Sequence, residues 1–210
     1  MKPKRIILIR HGESEGNVEA TSYETIPDYA LSLTQNGRDQ ALAAGKKIDK
    51  IIGDESVYSY VSPLHRTRQT FEQIESVLGE KNVKTVEDSR IREQDWGNLR
   101  TYEQEKNIIK ERSDYGIFYF NIENGESAAN VFDRVSTFFE TLHRDFLKEN
   151  YPQNTLIVTH GVTLRVLLMR ILRWSVEDFE KVYNPTNCEI FVLEQNSEGE
   201  YELITPLRTD

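Results

Sequence analysis

Residues 5–12 read RIILIRHG, and this stretch decides the fold. The run 5–9 is short, apolar and β-prone, which predicts a buried strand. Arg10, His11 and Gly12 follow where this strand should end. Because ligands of a parallel sheet collect at the carboxyl ends of its strands, an Arg-His-Gly step at this position indicates a binding or catalytic edge.

Predicted strands and helices alternate outward from this stretch. Short apolar runs predict further strands, at Val57–Val61, Val83–Glu87, Thr155–Thr159, Cys188–Glu194 and Tyr201–Ile204. Apolar residues at three- and four-residue spacing predict amphipathic helices, over residues 35–51, 64–78, 102–112, 131–146 and 162–172. Because strand alternates with helix through most of the chain, we expect an α/β fold, a three-layer α/β/α sandwich with a mostly parallel central sheet.

The length of 210 residues suits one domain. The periodicity blurs between Trp96 and Gly125, where an aromatic run at 115–120 follows a short predicted helix. We therefore predict a single domain over residues 1–210 with a small inserted subdomain at about 96–127. This segment and residues 18–31 are expected to form the mouth of a pocket.

Charge and composition restrict the class of partner. The formal net charge is -9, which argues against nucleic acid and anionic membranes as partners, since both select a basic face. The one cysteine, Cys188, excludes an intrachain disulfide. The apolar run 6–9 is too short for a signal peptide. We expect a soluble, cytoplasmic protein, and the sequence leaves its oligomeric state open.

Three predicted strand ends carry cationic or imidazole side chains. Arg10 and His11 end the first strand, Arg66 follows the second, and His160 with Gly161 ends the strand at 155–159. Helix N-termini beside them add free N–H groups and partial positive charge. Arginine binds phosphate oxygens in a bidentate manner. A neutral imidazole can attack phosphorus while a second one stabilises the transferred charge. The pattern favours a pocket for a phosphate dianion.

An acid for the leaving oxygen is also needed. Glu93 follows the third predicted strand, and it is our candidate for a general acid that becomes the base for water in a second half-reaction. His65, His143 and Arg68 are interpreted as structural or solvated side chains, because a single His or Arg at such a position is usually one.

Four segments resemble the histidine phosphatase superfamily, which contains cofactor-dependent phosphoglycerate mutases and fructose-2,6-bisphosphatases. They occur in the family's order and read LIRHGESEGN from residue 8, LSLTQNGRDQALAAGKKI from 31, SPLHRTRQT from 62 and VTHGVTLRVL from 158. The resemblance implies an α/β/α sandwich, a metal-independent reaction and His11 as the phosphorylated nucleophile. It also implies that the phosphoryl group is bound by Arg10, Asn17, Arg66 and His160, with Gly161 beside it, and that Glu93 is the proton donor.

Two departures from the mutase pattern favour a phosphatase. Mutases of this family usually carry Trp just before the asparagine that matches Asn17, and here that residue is Gly16. The segment after the acid is short, EQDWGNLR from Glu93, whereas the mutase segment is longer and rich in Arg and Tyr. The stretch NGESAANVFDRVSTFFETL from residue 124 resembles a phosphatase-type subgroup.

The sequence therefore predicts a phosphomonoester hydrolase that acts on small phosphorylated metabolites through a phosphohistidine and takes no cofactor. The alternative is a cofactor-dependent phosphoglycerate mutase, for which 2,3-bisphosphoglycerate would be the cofactor. Four cations lie further along the chain from the acid: Arg100, Lys106, Lys110 and Arg112. They could serve a multiply charged substrate, but cations on a predicted helix more often form a solvated face, and we expect that here.

Two other classes stay open at this point. Residues 12–16 match the G-x-S-x-G elbow of α/β-hydrolases, so a serine esterase with Ser14 and His160 is a rival. Too few residues precede Arg10 to supply the oxyanion loop, and Glu13 and Glu15 would oppose an oxyanion. A non-catalytic binding protein on this fold ranks last, because the nucleophile and both arginines are present.

Overall fold

The computed structural model describes residues 2–97 and 101–209. Its described strands form one sheet in the order β3-β2-β4-β1-β5-β6. The strands are β1 Arg5–Arg10, β2 Val57–Val61, β3 Asn82–Glu87, β4 Asn154–Thr159, β5 Ile190–Gln195 and β6 Tyr201–Leu203. The first four strands in this order pair in parallel, while β5 is antiparallel to both β1 and β6. The predicted mostly parallel sheet is confirmed.

Helices flank the sheet on both faces. They are α1 Glu15–Val18, α2 Gln35–Ile52, α3 His65–Leu78, α4 Tyr102–Tyr115, α5 Ala128–Phe146, α6 Gly161–Leu172 and α7 Val176–Lys181. Helices α2 and α3 pack against each other, and so do α5 and α6.

Strand β1 shows how the three layers arise. Its side chains alternate between two faces, so Ile7 and Ile9 join one apolar cluster with α2 and α3. Ile6 and Leu8 join a second cluster with α5 and α6. All four side chains are buried, which explains why this strand reads as a continuous apolar run. The α/β/α sandwich is confirmed.

The strands β1 and β4 are neighbours, but the chain leaves them toward opposite faces of the sheet. It passes from β1 to α2 on one face and from β4 to α6 on the other. This reversal opens a crevice at the carboxyl ends of the two strands, where ligands of open α/β sheets bind. His11 follows β1 and His160 follows β4, so the fold brings them to this crevice.

Several element boundaries differ from the sequence expectation. Strand β5 begins at Ile190 rather than at Cys188, because Cys188 has a left-handed backbone with φ 55°. Helix α4 continues to Tyr115 and ends at Gly116, whose φ is 109°. Helix α7 was not predicted. None of the helices in the described part of the chain is long and apolar enough to cross a membrane.

Candidate active site

The two histidines meet at the β1–β4 crevice. The backbone N–H of His11 donates to the Thr159 carbonyl at 2.9 Å, which continues the ladder between the strands by one residue. The imidazole centroids of His11 and His160 are 5.2 Å apart at an interplanar angle of 61°. Their exposed fractions are 4% and 0%. Both rings therefore line a desolvated site.

The tautomer of His11 is fixed by its own neighbour. Nδ1 of His11 lies 2.7 Å from the carbonyl oxygen of Gly12. A carbonyl only accepts hydrogen bonds, so Nδ1 carries the proton and Nε2 carries the lone pair. Burial, followed by the charges of Arg66 and Arg10, holds the pKa of His11 well below its ordinary value. The ring is a neutral imidazole with its nucleophilic nitrogen free.

Gly12 is required by a close backbone approach. A Cβ atom on Gly12 would lie 2.4 Å from the carbonyl oxygen of Gly37, well inside contact distance. The start of α2 therefore packs directly on the turn after His11. Glycine at position 12 therefore allows direct backbone contact between the turn after His11 and the segment around Gly37.

His160 is held by Ser62. Its Nε2 lies 2.7 Å from the Ser62 hydroxyl, and its buried Nδ1 has no hydrogen-bond partner within the described part of the chain. Burial comes first, then the charge of Arg66, the neighbouring His11 ring and the charge of Arg10, and together they keep the pKa of His160 well below its ordinary value. The unpartnered nitrogen is available to a ligand. Gly161 follows His160 and begins α6. A Cβ atom on Gly161 would lie 2.4 Å from the Asn184 side chain.

The two arginines approach the histidines from different elements. Nη1 of Arg10 donates to the Pro185 carbonyl at 2.5 Å, while its buried Nε has no partner among the residues that the structure describes, and burial lowers the pKa of Arg10. Arg66, in the first turn of α3, donates to the Asp28 carbonyl at 2.7 Å. It also forms an ion pair with the Asp28 carboxylate at 3.0 Å. Arg10 thus keeps an unused donor beside His11.

Glu93 lies at the N-terminus of α6. Its carboxylate accepts from the backbone N–H groups of Val162 at 3.3 Å and Thr163 at 3.2 Å. The Gln94 N–H donates to it at 3.0 Å. Val162 and Thr163 follow His160 and Gly161 in the chain, so Glu93 is at the same crevice as the two histidines. The candidate acid therefore lies against the helix turn that follows His160.

Asn17 is farther out than the other candidates. It is exposed, and its Oδ1 accepts from the Ser14 N–H at 3.1 Å and from Asn187 Nδ2 at 3.0 Å. Asn187 also donates to the His11 carbonyl at 3.2 Å. Asn17 therefore caps α1 and contacts the site through Asn187, a residue that the sequence did not indicate.

Two further residues of the site were missed. Tyr23 lies close to Arg66, and burial raises its pKa to about 12. A Cβ on Gly16 would lie 2.6 Å from the Tyr23 ring, so glycine at this position leaves room for that ring. Arg112 of α4 donates to Gln94 Oε1 at 2.9 Å and stacks over Trp96 at 5.3 Å. Its buried Nε has no hydrogen-bond partner in the described ranges 2–97 and 101–209.

Arg112 corrects one expectation about the cations after Glu93. It turns inward rather than lying on a solvated face, and Lys106 and Lys110 are exposed as expected. Arg100 lies outside the described residues. Periodicity alone could not separate Arg112 from the two lysines, because its inward position depends on Trp96 and Gln94 of another segment.

The serine esterase interpretation is wrong. The Ser14 hydroxyl donates to Asn17 at 3.2 Å, and His160 instead contacts Ser62. Ser62 lacks the arrangement of a catalytic serine, because no carboxylate within residues 2–97 and 101–209 hydrogen-bonds Nδ1 of His160. His65, Arg68 and His143 are exposed, as interpreted from the sequence.

Comparison with known proteins agrees with this geometry. The family model of the histidine phosphatase superfamily (branch 1) matches residues 6–204. The chain belongs to the histidine phosphatase superfamily. It is 44% identical to the phosphoglycerate mutase-like protein AT74 of Arabidopsis thaliana, over 96% of this chain and 68% of that protein.

One further relative is named as a phosphatase. This chain is 31% identical to the broad-range acid phosphatase DET1 of Saccharomyces cerevisiae, over 98% of this chain and 90% of that protein. The fold of this chain also matches a mycobacterial glucosyl-3-phosphoglycerate phosphatase solved with VO3, at a TM-score of 0.76 and 18% identity over 98% of each chain. The protein is therefore an enzyme that acts by phosphoryl transfer.

Proposed function

We propose that this histidine phosphatase hydrolyses phosphomonoesters of small metabolites through a phosphohistidine at His11. One observation carries the proposal. The Gly12 carbonyl fixes the Nδ1 proton of His11, so a neutral Nε2 stands free beside Arg10 and Arg66, whose charges act on the ring. A nucleophile and the cations that neutralise a phosphoryl dianion are thereby combined in one desolvated site.

The first half-reaction transfers the phosphoryl group to the enzyme. Arg10, Arg66 and an N–H of His160 bind the phosphoryl oxygens. His11 Nε2 forms a bond to phosphorus as the bond to the ester oxygen breaks. Glu93, in its protonated form, gives its proton to the leaving oxygen, which departs as an alcohol.

The second half-reaction regenerates the enzyme. Glu93, now a carboxylate, takes a proton from a water molecule, whose oxygen bonds to phosphorus. The phosphorus–nitrogen bond breaks, and His11 leaves with its lone pair on Nε2. Inorganic phosphate is released, and the imidazole is again neutral. We propose that Asn17 borders the phosphoryl site. We propose also that Gly161, which lacks a side chain, permits a close approach of the backbone directly after His160.

A phosphoglycerate mutase is the second candidate, because AT74 carries a mutase-like name and Arg112 adds a cation near Glu93. Under that alternative 2,3-bisphosphoglycerate would be the cofactor; the hydrolase proposal includes no cofactor or metal. Hydrolysis is favoured by the likeness to the acid phosphatase and by Gly16.

We further propose a cytoplasmic location, no nucleic-acid or membrane partner, and a single domain with an insertion at about 96–127.

Trapping the covalent intermediate tests the proposal. Acid quench after brief reaction with a labelled phosphomonoester would destroy a phosphoramidate, whereas alkaline quench preserves it. We expect an alkali-stable, acid-labile label on His11, and its loss together with turnover in His11→Ala. The exposed His65→Ala variant is the control and should keep both. An acid-stable label on a serine, or full turnover in His11→Ala, contradicts the proposal.

A further inference from the structure

One guanidinium holds the backbone that carries Glu93. Nη1 of Arg134, on α5, donates to the carbonyls of Arg90 at 2.6 Å and Arg92 at 2.9 Å. Its Nη2 donates to the carbonyl of Glu93 itself at 3.0 Å. Three carbonyls of a four-residue stretch therefore converge on a single side chain from a neighbouring helix.

Glu126 fixes the orientation of that guanidinium. It accepts from Nε and Nη2 of Arg134, each at 3.0 Å, in a bidentate pair. The same carboxylate accepts from Arg92 at 2.7 Å and from the Asp95 N–H at 3.0 Å. Burial raises the pKa of Glu126, but the hydrogen bond and charge of Arg134 outweigh it, so the net pKa lies below the ordinary value. Glu126 is therefore a carboxylate at neutral pH.

The backbone beyond Glu93 is tied to the same place. Gln94 Nε2 donates to the Glu126 carbonyl at 2.6 Å. A Cβ on Gly125 would lie 2.4 Å from the Asp95 carbonyl oxygen, so the two segments touch through backbone. The loop 90–95 is thus anchored on both sides of Glu93 by residues 125, 126 and 134.

The contacts that the Glu93 carboxylate makes outside its own loop are longer than these. Its bonds to the N–H groups of Val162 and Thr163 and to the Thr163 hydroxyl are 3.2–3.3 Å long, and its remaining bond, from the Gln94 N–H at 3.0 Å, comes from the loop itself. The position of the carboxylate therefore depends mainly on where its backbone is held. A displacement of about 1 Å can cost roughly 10²-fold in rate, because proton transfer requires a near-attack geometry.

We infer that Glu126 and Arg134 are positioning residues that hold Glu93 at the distance from the leaving oxygen that proton donation requires. This inference rests on the proposed hydrolase function and on the role of Glu93 within it. Neither residue touches the reacting atoms. Loss of the pair should therefore reproduce the signature of a misplaced acid rather than a general loss of activity.

The chain offers a matched control pair. Glu87 and Arg68 also form a bidentate pair, at 2.6 and 2.7 Å, on side chains that are each 47% exposed. Glu126 and Arg134 are 15% and 12% exposed. Glu87→Gln makes the same chemical change as Glu126→Gln and touches none of the loop that carries Glu93, so it should leave activity within about twofold, as exposed pairs contribute little.

The experiment compares two phosphate esters. β-Glycerophosphate has an alkoxide leaving group that needs a proton, and p-nitrophenyl phosphate has one that leaves unaided. We expect Glu126→Gln to lower kcat/KM about 10- to 100-fold on the first ester and less than about threefold on the second. Arg134→Lys, which keeps the charge but not the planar fork, should show the same selectivity. Thermal unfolding and far-ultraviolet circular dichroism establish that each variant is folded.

A double variant decides whether the pair acts through Glu93. Adding Glu126→Gln to Glu93→Gln should cost no further rate on β-glycerophosphate, because no acid is left to misplace. Equal losses on both esters in folded variants, or losses that multiply in the double variant, overturn the inference. Failure of the phosphoenzyme to form on His11 would instead overturn the proposed function, and the two failures are therefore distinguishable.

Discussion

The hydroxyl of Ser62 lies 2.7 Å from Nε2 of His160. A hydroxyl can donate or accept, so this contact alone allows either tautomer of the ring. The proposed role of His160 requires an N–H aimed at a phosphoryl oxygen, and Nδ1 is the ring nitrogen that no described residue hydrogen-bonds. Ser62 selects that tautomer when it donates to Nε2, which places the proton on Nδ1.

Removing this hydroxyl should therefore slow phosphoryl transfer. We expect Ser62→Ala to lower kcat about fivefold, since one buried hydrogen bond contributes roughly 1 kcal/mol and its loss leaves the tautomer unfixed. Ser59→Ala is the control, because Ser59 is equally buried on β2 and bonds Asn82. Steady-state kinetics with p-nitrophenyl phosphate checks the effect. A similar loss in both variants would assign it to packing rather than to His160.

Glu93→Gln should discriminate between leaving groups. General acid catalysis typically contributes about 10²–10⁴-fold, and only an ester with a poor leaving group needs it. We expect a loss in that range for kcat/KM on a sugar phosphate and a much smaller loss on p-nitrophenyl phosphate. If both substrates lose rate to the same extent, Glu93 is not the acid.

The pattern of the sequence predicted the fold and brought four candidate residues to one edge of the sheet. His11, His160, Arg10 and Arg66 each follow a strand or begin a helix, so alternation and strand ends placed them together. Tyr23, Arg112 and Asn187 were missed because they lie in turns or on a helix whose orientation depends on distant contacts. No local pattern encodes the stacking of Arg112 on Trp96 or the bond from Asn187 to the His11 carbonyl.

The two site histidines should resist protonation in the folded enzyme. Burial and the charge of Arg66 lower the pKa of both rings, so the unfolded chain takes up protons near pH 6.5 while the folded chain does not. The contribution of the two neutral rings to the free energy of unfolding is then fully present above about pH 6.5. Below that pH the free energy of unfolding declines by about 1.4 kcal/mol per pH unit for each ring.

Nuclear magnetic resonance of labelled imidazoles measures this directly. We expect both rings to stay neutral as pH falls below about 6.5, where an unperturbed imidazole becomes protonated. Arg66→Gln removes a charge that lowers both pKa values, so the two transitions should move to higher pH in that variant. Titration of His11 or His160 at its ordinary value in the unmodified enzyme would contradict the expectation.

Phosphate release should exceed isomerisation. A mutase must shield its phosphoenzyme from water and return the phosphoryl group to a second oxygen, which calls for additional cations that hold a substrate carboxylate. Directly after Glu93 the chain supplies Gln94 and Asp95, and the guanidinium of Arg112 is already engaged by Gln94 and Trp96. We therefore expect several phosphomonoesters to be hydrolysed, with little interconversion of 2- and 3-phosphoglycerate.

A parallel assay of free phosphate and of the phosphoglycerate isomers checks this ranking, with and without 2,3-bisphosphoglycerate. Arg112→Ala gives a second measure. If Arg112 held a substrate carboxylate, its loss would raise KM for phosphoglycerate and leave KM for β-glycerophosphate unchanged. If the enzyme is a hydrolase in which Arg112 only supports Gln94, KM should instead change to a similar extent for both substrates. Interconversion that is stimulated by the bisphosphate and exceeds phosphate release would make the mutase assignment correct.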